Sequence, residues 1–352
     1  MRIAQVAPLA VSVPPPAYGG TEQVVATLTD ELVKRGHEVT LFASGDSVTT
    51  AQLCSVRPTS LRVSGIVYPG PGIDAALYDS INAVACFERA GEFDIIHSHA
   101  AAATMIMANL ISTPVLMTFH NPLSEAVVAV ISAYKGYYNT LSLSAKRGLP
   151  DRGYIGAVYN DIDVDSFPFN SSQREGYLLL LGRICYDKGT HLAIDVAQRL
   201  NRKLVIAGNV NQHDQQYFQT IVKPRIDGEL IRYLGEATRD QTRQLYSQAD
   251  CLLFPIQYED ICPLVPLEAM ACGVPVISLN RGALPEQVVH GQTGFVVNDI
   301  DEMVDAVGRI GEIDRRRCRE HVEQNFNVPR KVDNYLALYQ QILDIERQSF
   351  EA

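Results

Sequence analysis

The sequence predicts an α/β protein of two domains, each a mostly parallel β-sheet with helices on both faces. Three observations support this prediction. Short apolar runs alternate with helical patterns from the first residue onward, and this alternation is typical of parallel sheets. The chain has 352 residues, more than one ordinary hydrophobic core accommodates. A polar, turn-rich stretch over residues 160–176 interrupts the alternation, which then restarts, so we place the domain junction there.

Composition and charge argue against several classes of function. A hydrophobic content of 47% with 20% charged residues is normal for a globular protein. The net charge of −10 argues against non-specific binding to nucleic acid and against adhesion to acidic lipid. The seven cysteines are an odd number without paired metal-binding spacing, which favours a reducing compartment over a disulfide framework.

The first residues form a strand pattern and not a signal peptide. The apolar run over residues 100–110 is too short to cross a bilayer. We therefore expect a cytoplasmic protein without an integral membrane segment.

The first half opens with a strand over residues 2–7 and a proline-rich loop over residues 8–20. Thr21 is predicted to cap a helix that runs to Arg35, and a second strand follows over residues 38–43. The Gly19-Gly20 pair lets a backbone approach a ligand at the helix start, although most such pairs are simple turns. No Gly-x-Gly-x-x-Gly follows the first strand, so the dinucleotide-binding fingerprint is not matched.

Three histidines stand at predicted strand ends in the first half. His97 and His99 end a strand over residues 93–99, and His120 ends the next one, over residues 114–120. Ligands of open α/β sheets bind beyond such ends. The His-x-His pair offers two metal ligands and needs a third from elsewhere, so we prefer a polar strand end to a metal site. His120 either orients a substrate or is a hydrogen-bonded loop residue, and the local sequence leaves both readings open.

The second half repeats the alternation, with strands predicted over residues 177–181, 204–208, 230–235, 251–255, 275–279 and 291–297. Arg183 and Lys188 flank one loop after the first of these strands. Two cations at a strand end can hold a diphosphate and stabilise its departure. Taken singly, each is more often a solvated surface charge.

Residues 258–277 read as a loop, a helix and a buried strand. Pro266 suits the first turn of the helix and Gly273 the position just past its end. Asp260 lies on the loop and Glu268 in the first turns. The amides of such a helix start bind anions, and the carboxylates can accept hydrogen bonds from sugar or ribose hydroxyls. The alternative is an acidic helix start favoured by the helix dipole alone.

The C-terminal residues form a last helical pattern. Their apolar positions recur at helical spacing. No following element is available to cover this apolar stripe, so one of the two domains must bury it.

Taken together, these motifs resemble those of the retaining glycosyltransferases of family 4. The similarity runs from Arg2 to about Tyr339. The motifs that carry it are Tyr18-Gly19-Gly20-Thr21-Glu22, Gly36-His37-Glu38-Val39, Phe93-Asp94-Ile95-Ile96-His97-Ser98-His99, Gly182-Arg183 with Asp187-Lys188-Gly189, Leu264-Val265-Pro266-Leu267-Glu268-Ala269-Met270-Ala271-Cys272-Gly273, and Pro285-Glu286 with Gly291-Gln292-Thr293-Gly294-Phe295. Each motif is ordinary alone, and the set in this order is specific.

The resemblance implies the GT-B fold, in which two Rossmann-like, doubly wound domains face each other across a cleft. Residues 1–165 would form the acceptor-side domain, joined by a C-terminal helix over residues 330–352 that crosses back to it. Residues 166–329 would form the domain that binds the donor. The reaction implied is the transfer of a sugar from a nucleotide diphosphate sugar to a hydroxyl acceptor with retention, by front-face displacement and without a metal or other cofactor. We expect a hexosyl donor and favour a UDP-sugar over a GDP-sugar.

The resemblance also assigns roles to residues of the second domain. Arg183 and Lys188 would bind the diphosphate, and Glu268 would bind the ribose. Asp260 would contact sugar hydroxyls, and Gly235 with its neighbours would contact the base.

Further roles complete the implied site. The amides of Leu264 and Val265 would lie at the phosphates. From the first domain, Gly20 would pack against the phosphates and His120 would lie beside the transferred sugar. The catalytic set implied is Arg183, Lys188, His120 and Asp260, and the donor-binding set is Gly19, Gly20, Gly182, Gly235, Leu264, Val265 and Glu268.

The chain departs from the family pattern at three places. Asp260 replaces the usual glutamate, which shortens the reach to the sugar by one methylene. Cys262-Pro263 replaces Phe-Gly, and Pro263 lacks an N–H that could donate to the ligand. Asn160-Asp161-Ile162-Asp163 stands where Asn-Gly-Ile-Asp is frequent. The first two departures lie in the implied sugar pocket and bear on sugar identity and on activity.

Two alternative functions remain open at this stage. A nucleotide-sugar 2-epimerase has a similar fold and would release nucleotide and an altered sugar without an acceptor. A binding protein with a degenerate sugar pocket would hold a nucleotide sugar without transferring it. In every case the partners expected are a nucleotide sugar and, for a transferase, an acceptor. No nucleic acid is expected, and contact with a membrane surface is compatible with the sequence.

Overall fold

A computed structural model describes residues 1–16, 19–65, 75–100, 104–169 and 176–351. The chain divides into two compact units. The first unit joins Met1–Asn160 with Val328–Ala352, and the second is Asp161–Asn327. Both units are built on a parallel β-sheet, which confirms the predicted two-domain α/β class.

The first unit contains, within its described residues, a seven-stranded parallel sheet of order β3-β2-β1-β4-β5-β6-β7. Its central strands are almost entirely buried, as expected of a sheet covered on both faces, and they include the buried polar residues Gln5, His97 and Thr118. The strands are β1 (Arg2–Val6), β2 (Glu38–Phe42), β3 (Gln52–Cys54), β4 (Ile95–Ser98), β5 (Val115–Thr118), β6 (Tyr137–Thr140) and β7 (Tyr154–Ala157). The strand order reverses between β1 and β4, which places the switch point at their carboxyl ends.

Helices cover this sheet. The described ones are α1 (Gly20–Lys34), α2 (Ala75–Phe87), α3 (Met105–Ala108) and α4 (Glu125–Ala133). The prediction that Thr21 caps the first helix is wrong. Gly19 is the N-cap, because the amide of Gln23 donates to the Gly19 carbonyl and closes the first turn there.

The second unit contains, in the part of it that is described, a six-stranded parallel sheet of order β10-β9-β8-β11-β12-β13. Its strands are β8 (Tyr177–Leu181), β9 (Leu204–Ala207), β10 (Ile231–Tyr233), β11 (Ala249–Phe254), β12 (Val276–Leu279) and β13 (Gly294–Val297). Each predicted strand of this half is present. The order reverses between β8 and β11, so the switch point of this unit lies beyond those two strands.

The helices of the second unit follow the strands. They are α5 (Thr190–Leu200), α6 (Gln215–Tyr217), α7 (Arg239–Gln248), α8 (Leu264–Ala271), α9 (Leu284–Gln287), α10 (Ile300–Gly308) and α11 (Arg315–Asn325). Pro266 lies in the first turn of α8, as predicted. Gly273 follows the C-cap of α8 with a φ of 75°, a left-handed conformation that suits glycine.

The last helix, α12 (Val328–Glu351), belongs to the first unit and packs against α1 and β7. Its residues Val332, Tyr335, Tyr339 and Ile342 are fully buried in a core shared with β1, β4 and α1. Burial of a large apolar side chain contributes roughly 1.5–3 kcal/mol. This packing answers the question of which domain covers the terminal stripe and confirms the predicted return of the helix.

Two further features bear on the sequence-based expectations. All seven cysteines are free thiols. None of the helices in the described ranges combines the length and the hydrophobicity that a membrane span requires.

Candidate donor site

The switch point of the second unit brings together three segments that the sequence singled out. The loop with Gly182, Arg183 and Lys188 follows β8, the loop with Asp260 follows β11, and α8 begins just after that loop. Because β8 and β11 are neighbours in the sheet, their carboxyl ends meet at one edge. Open α/β sheets bind their ligands at such a point.

Lys188 and Asp260 form an ion pair at this edge. Lys188 Nζ lies 3.0 Å from Asp260 Oδ2, and the two side chains are 19% and 14% exposed. Tyr258 donates its hydroxyl to the same carboxylate oxygen at 2.6 Å. The ammonium also lies over the rings of Tyr258 and Phe254, 4.9 Å and 5.5 Å from their centroids.

This environment keeps Lys188 charged. Burial opposes the charge, but the attraction of Asp260 and the contact with Tyr258 outweigh it and raise the pKa of Lys188. A lysine ammonium has three hydrogens to donate, of which Asp260 Oδ2 accepts one. The group is therefore a permanent cation with donors left for a further anion.

The loop that carries Lys188 is held against the end of β11. The amide of Gln257 donates to the carbonyl of Asp187 at 2.8 Å, and the Gln257 side chain donates to the carbonyl of Tyr186 at 2.7 Å. Gly189 has a φ of 70°, and a Cβ placed there would lie 2.0 Å from the carbonyl oxygen of Pro255. Only glycine permits this close approach, which places Lys188 beside Asp260.

Arg183 occupies the other end of the same loop, directly after β8. Its Nε lies 3.8 Å from Asp214 Oδ2, too long for a hydrogen bond. The side chain of Arg183 is 31% exposed. A second cation thus stands at the switch point in contact with solvent.

The ends of β8, β9 and β10 carry glycines. The amide of Gly208 donates to the carbonyl of Gly235 at 2.8 Å, and the amide of Gly182 donates to Ala207. A Cβ added at Gly182 or Gly235 would meet nothing within 4 Å. These strand ends therefore expose bare backbone on which a flat ring can lie.

The start of α8 supplies amides and a carboxylate. Leu264 and Val265 are its first two residues, and amides of a first turn have no acceptor within the helix. Glu268 Oε2 accepts a hydrogen bond from the Tyr246 hydroxyl at 2.8 Å. Burial raises the pKa of Glu268, and the bond from Tyr246 opposes that rise. Among the described residues, Glu268 Oε1 has no hydrogen-bond partner and is available to a ligand.

The remaining predicted residues lie in the first unit. Gly19 is the N-cap of α1, and Gly20 is its first helical residue. Tyr18, which belongs to the same motif, lies outside the described residues. His120 follows β5, and its Nε2 lies 2.8 Å from His99 Nδ1.

The neighbouring histidines are occupied by hydrogen bonds. His97 contacts Tyr339 and Thr118, and His99 contacts Gln5 and His120. Over the described ranges, no group of three or more His, Cys, Asp or Glu side chains is arranged to hold a metal ion. Both ring nitrogens of His97 and of His99 are thus engaged by neighbouring side chains.

Several residues of this site escaped the sequence analysis. Tyr258 stands two positions before Asp260, so the spacing is a usable signal for a side chain on the same side of an extended loop. Tyr246 and Gln5 gave no signal, because each reaches its partner only through the tertiary fold.

Both halves of the chain match models of known protein families. Residues 161–325 match the family model described as "Glycosyl transferases group 1", and residues 18–152 match the model described as "Glycosyltransferase Family 4". The chain is 31% identical over 238 residues to a glycogen synthase of Mycobacterium tuberculosis, a match that covers 59% of this chain and 57% of that protein. It is 25% identical to the D-inositol 3-phosphate glycosyltransferase of Mycolicibacterium smegmatis over 91% of this chain and 86% of that one.

Solved structures show the same fold. AviGT4, a glycosyltransferase of avilamycin A biosynthesis, aligns with a TM-score of 0.71 at 22% identity, covering 97% of this chain and 98% of its own. Sucrose-phosphate synthase of Thermosynechococcus elongatus aligns with a TM-score of 0.77 at 18% identity over 99% of both chains. Anabaena HepE in complex with UDP and glucose aligns with a TM-score of 0.72 at 16% identity over 97% and 100%. The chain belongs to the glycosyltransferases of the GT-B fold.

Proposed function

We propose that this protein transfers a sugar from a nucleotide diphosphate sugar to a hydroxyl acceptor, and that its second unit binds the donor. The observation that carries the proposal is the group of cations and helix amides beyond β8 and β11. Arg183, Lys188 and the start of α8 surround one strand edge with positive charge. A diphosphate is the ligand that this combination suits best.

The same charges serve the chemistry. When the bond between sugar and diphosphate breaks, negative charge grows on the departing phosphate. Cations and amides held in place stabilise that charge more in the transition state than in the ground state. Lys188 supplies its charge at every physiological pH, because its pKa is raised.

We also propose that the transfer retains the configuration at the anomeric carbon. The family 4 model that residues 18–152 match supports this part of the proposal. In a front-face displacement, a phosphate oxygen of the donor takes the acceptor's proton while the acceptor oxygen bonds to the same face of the sugar. In such a mechanism the main task of the protein is to stabilise the departing diphosphate, and a catalytic base is less important. Arg183, Lys188 and the amides of α8 provide it, and the proposed reaction uses no metal.

The donor is proposed to be a UDP-sugar. Glu268 Oε1 is placed to accept from a ribose hydroxyl, and the bare backbone at Gly182 and Gly235 suits a base. The structural neighbour HepE is described in complex with UDP and glucose, which supports UDP over GDP. We propose a hexosyl group as the sugar.

The unusual residues of the sugar pocket retain binding capacity. Asp260 Oδ2 is held by Lys188 and Tyr258, whereas Oδ1 has no partner among the residues described. That oxygen is proposed to accept from a sugar hydroxyl. Pro263 lacks an N–H, so the amides of Leu264 and Val265 take over contact with the phosphates.

The proposal is tested in two steps. A thermal-shift screen with UDP, GDP and their glucosyl derivatives identifies the donor, since a ligand that binds only the folded state raises the unfolding midpoint. Release of nucleotide from that donor is then compared between the native protein and Lys188→Ala. We expect kcat to fall roughly 100-fold or more. Lys34→Ala, at a side chain 76% exposed on α1, is the control. Unchanged turnover in Lys188→Ala contradicts the assignment.

Product analysis separates the alternatives. Incubation of the donor without an acceptor gives free nucleotide and a 2-epimerised sugar if the protein is an epimerase. It gives slow hydrolysis if the protein is a transferase. A binding protein shows the thermal shift and neither product.

A further inference from the structure

A chain of hydrogen bonds crosses the first unit at the switch point between β1 and β4. Gln5 lies on β1, His97 on β4 and Thr118 on β5, and His99 and His120 follow β4 and β5. Tyr339 reaches this row from α12. The chain ends at His120, whose side chain is half-buried.

The direction of the chain is set at Asn139. Its Nδ2 donates to the backbone carbonyl of Thr140 at 3.2 Å. Because a carbonyl oxygen only accepts, the Asn139 amide cannot be turned over, and its Oδ1 faces Thr118 Oγ1. Thr118 therefore donates its single hydroxyl hydrogen to Asn139.

The next link follows from the hydrogen count. Thr118 Oγ1 can only accept from His97 Nε2, which lies 2.7 Å away. A neutral imidazole carries one N–H, so His97 Nδ1 is an acceptor. It takes the hydroxyl hydrogen of Tyr339 at 2.7 Å.

The same logic continues to His99. With its hydrogen used, the Tyr339 oxygen accepts from Gln5 Nε2 at 3.1 Å. The other end of that amide, Gln5 Oε1, then accepts from His99 Nε2 at 2.9 Å. His99 Nδ1 is left as an acceptor.

The last link reaches His120, whose Nε2 donates to His99 Nδ1 at 2.8 Å. Nδ1 of His120 has no hydrogen-bond partner among the residues that the structure describes. It carries a bare lone pair.

These hydrogen positions hold for neutral imidazoles, and the surroundings of the three rings keep them neutral. Burial, followed by the charge of Lys331, lowers the pKa of His120 to about 3. Burial also lowers the pKa values of His97 and His99. The buried ammonium of Lys331 donates to the Val24 carbonyl and to Thr27, so a second cation nearby is disfavoured.

We infer that this chain of hydrogen bonds holds His120 as the Nε2-protonated tautomer, so that its Nδ1 acts only as a hydrogen-bond acceptor toward a ligand. Gln5, His99 and Tyr339 are positioning residues that act through His120. The consequence for specificity rests on the proposed sugar transfer and on the role that the family resemblance implies for His120, beside the transferred sugar. A lone pair attracts a sugar hydroxyl and repels a carboxylate, so the site selects a neutral hexose over a uronic acid.

The tautomer is tested first, without any assay of activity. Long-range proton–nitrogen spectra of protein labelled with ¹⁵N-histidine report which ring nitrogen carries the proton, and the His120 signals are assigned by their absence in His120→Gln. We expect His120 to be Nε2-protonated at pH 7. A charged ring or an Nδ1-protonated ring in the native protein overturns the inference.

Variants then test the chain itself. Tyr339→Phe removes the donor to His97 and the acceptor of Gln5, which frees the Gln5 amide to turn over, so we expect a tautomer mixture at His120. Tyr137→Phe is the matched control, because it removes only the bond from Tyr137 to Glu346 between β6 and α12. A single unchanged tautomer in Tyr339→Phe contradicts the chain.

Specificity is measured with UDP-glucose and UDP-glucuronate. We expect kcat/KM in the native protein to favour the glucosyl donor about tenfold or more, the scale of one hydrogen bond, and this ratio to shrink in Tyr339→Phe. A preference for the uronate contradicts the inference. If the thermal-shift screen finds no nucleotide sugar that the protein turns over, the proposed function fails, whereas the spectra still decide the tautomer.

Discussion

Lys188 and Asp260, 72 positions apart in the sequence, meet at 3.0 Å beyond the carboxyl ends of β8 and β11. The pair joins the two sequence motifs that we assign to the diphosphate and to the sugar. Tyr258 completes it by donating to the same carboxylate oxygen. The position of the cation is therefore set by the protein before any donor arrives, which is what electrostatic stabilisation of a leaving group requires.

The pair predicts a coupling in stability. Removing one partner of a buried ion pair leaves an uncompensated charge, so Asp260→Asn should lower the free energy of unfolding by roughly 3 kcal/mol. Lys188→Met combined with Asp260→Asn should lose less than the sum of the two single changes. Urea unfolding of the four proteins measures the coupling, and strict additivity would show that the two groups do not interact.

The hydrogen bond between Tyr246 and Glu268 leads to a prediction about nucleotide affinity. The Tyr246 hydroxyl holds Glu268 Oε2 and thereby aims Oε1. Tyr246→Phe should weaken UDP binding about tenfold, the equivalent of one hydrogen bond. Isothermal titration with UDP measures the effect. Tyr177→Phe, which removes a bond to the Leu245 carbonyl, is the control, and equal affinity in both variants would contradict the role of Glu268.

Glu22 predicts a pH dependence of stability. Burial, mainly, raises the pKa of Glu22 to about 7. A carboxyl whose pKa is higher in the folded than in the unfolded state stabilises the fold at low pH. This contribution is lost as the pH rises from about 4.5 through about 7.

The matched variant isolates this group. Glu22→Gln should abolish this loss of stability with rising pH, which amounts to a few kcal/mol in the free energy of unfolding for a pKa shift of this size. The free energy of unfolding at pH 5 and pH 8 in both proteins is the measurement. His97, His99, His120 and Asp79, whose pKa burial raises to about 6, are present in both proteins, so the difference between the two proteins reports on Glu22 and its interaction with Asp79. The same change with pH in native protein and variant would refute the assignment.

Gly208 predicts a steric limit at the nucleotide side of the switch point. A Cβ at this position would lie 1.7 Å from the Gly182 carbonyl oxygen, and the φ of Gly208 is 156°. Gly208→Ala should lower the melting temperature by several degrees or prevent folding, since backbone must move. Gly311→Ala, where a Cβ meets nothing within 4 Å, should change little. Equal melting curves for the two variants would contradict this picture of the strand ends.

The sequence was sufficient to predict the elements that lie in the hydrophobic cores. β8 was predicted at its observed bounds because a strand covered on both faces is a continuous apolar run. β3 was missed because it has three residues at the edge of the sheet. Thr21 was taken as a cap by its residue type, but the turn closes on Gly19 instead.

The candidate site shows a similar division. Strand order and motif position place Arg183, Lys188 and Asp260 at one edge, because the ends of neighbouring parallel strands coincide. The partners of these residues are not visible in the sequence. Gln5 and Tyr339 are 334 positions apart, and their contact depends on α12 packing beneath the sheet of the first unit. Such contacts arise from the tertiary structure, which local patterns do not contain.

A crystal structure of the protein with bound UDP would show directly where the diphosphate is held. We expect the two phosphates within hydrogen-bond distance of Lys188 Nζ, the Arg183 guanidinium and the amides of Leu264 and Val265, with the ribose at Glu268. Phosphates bound away from these groups, or a UDP site elsewhere on the protein, would contradict this expectation.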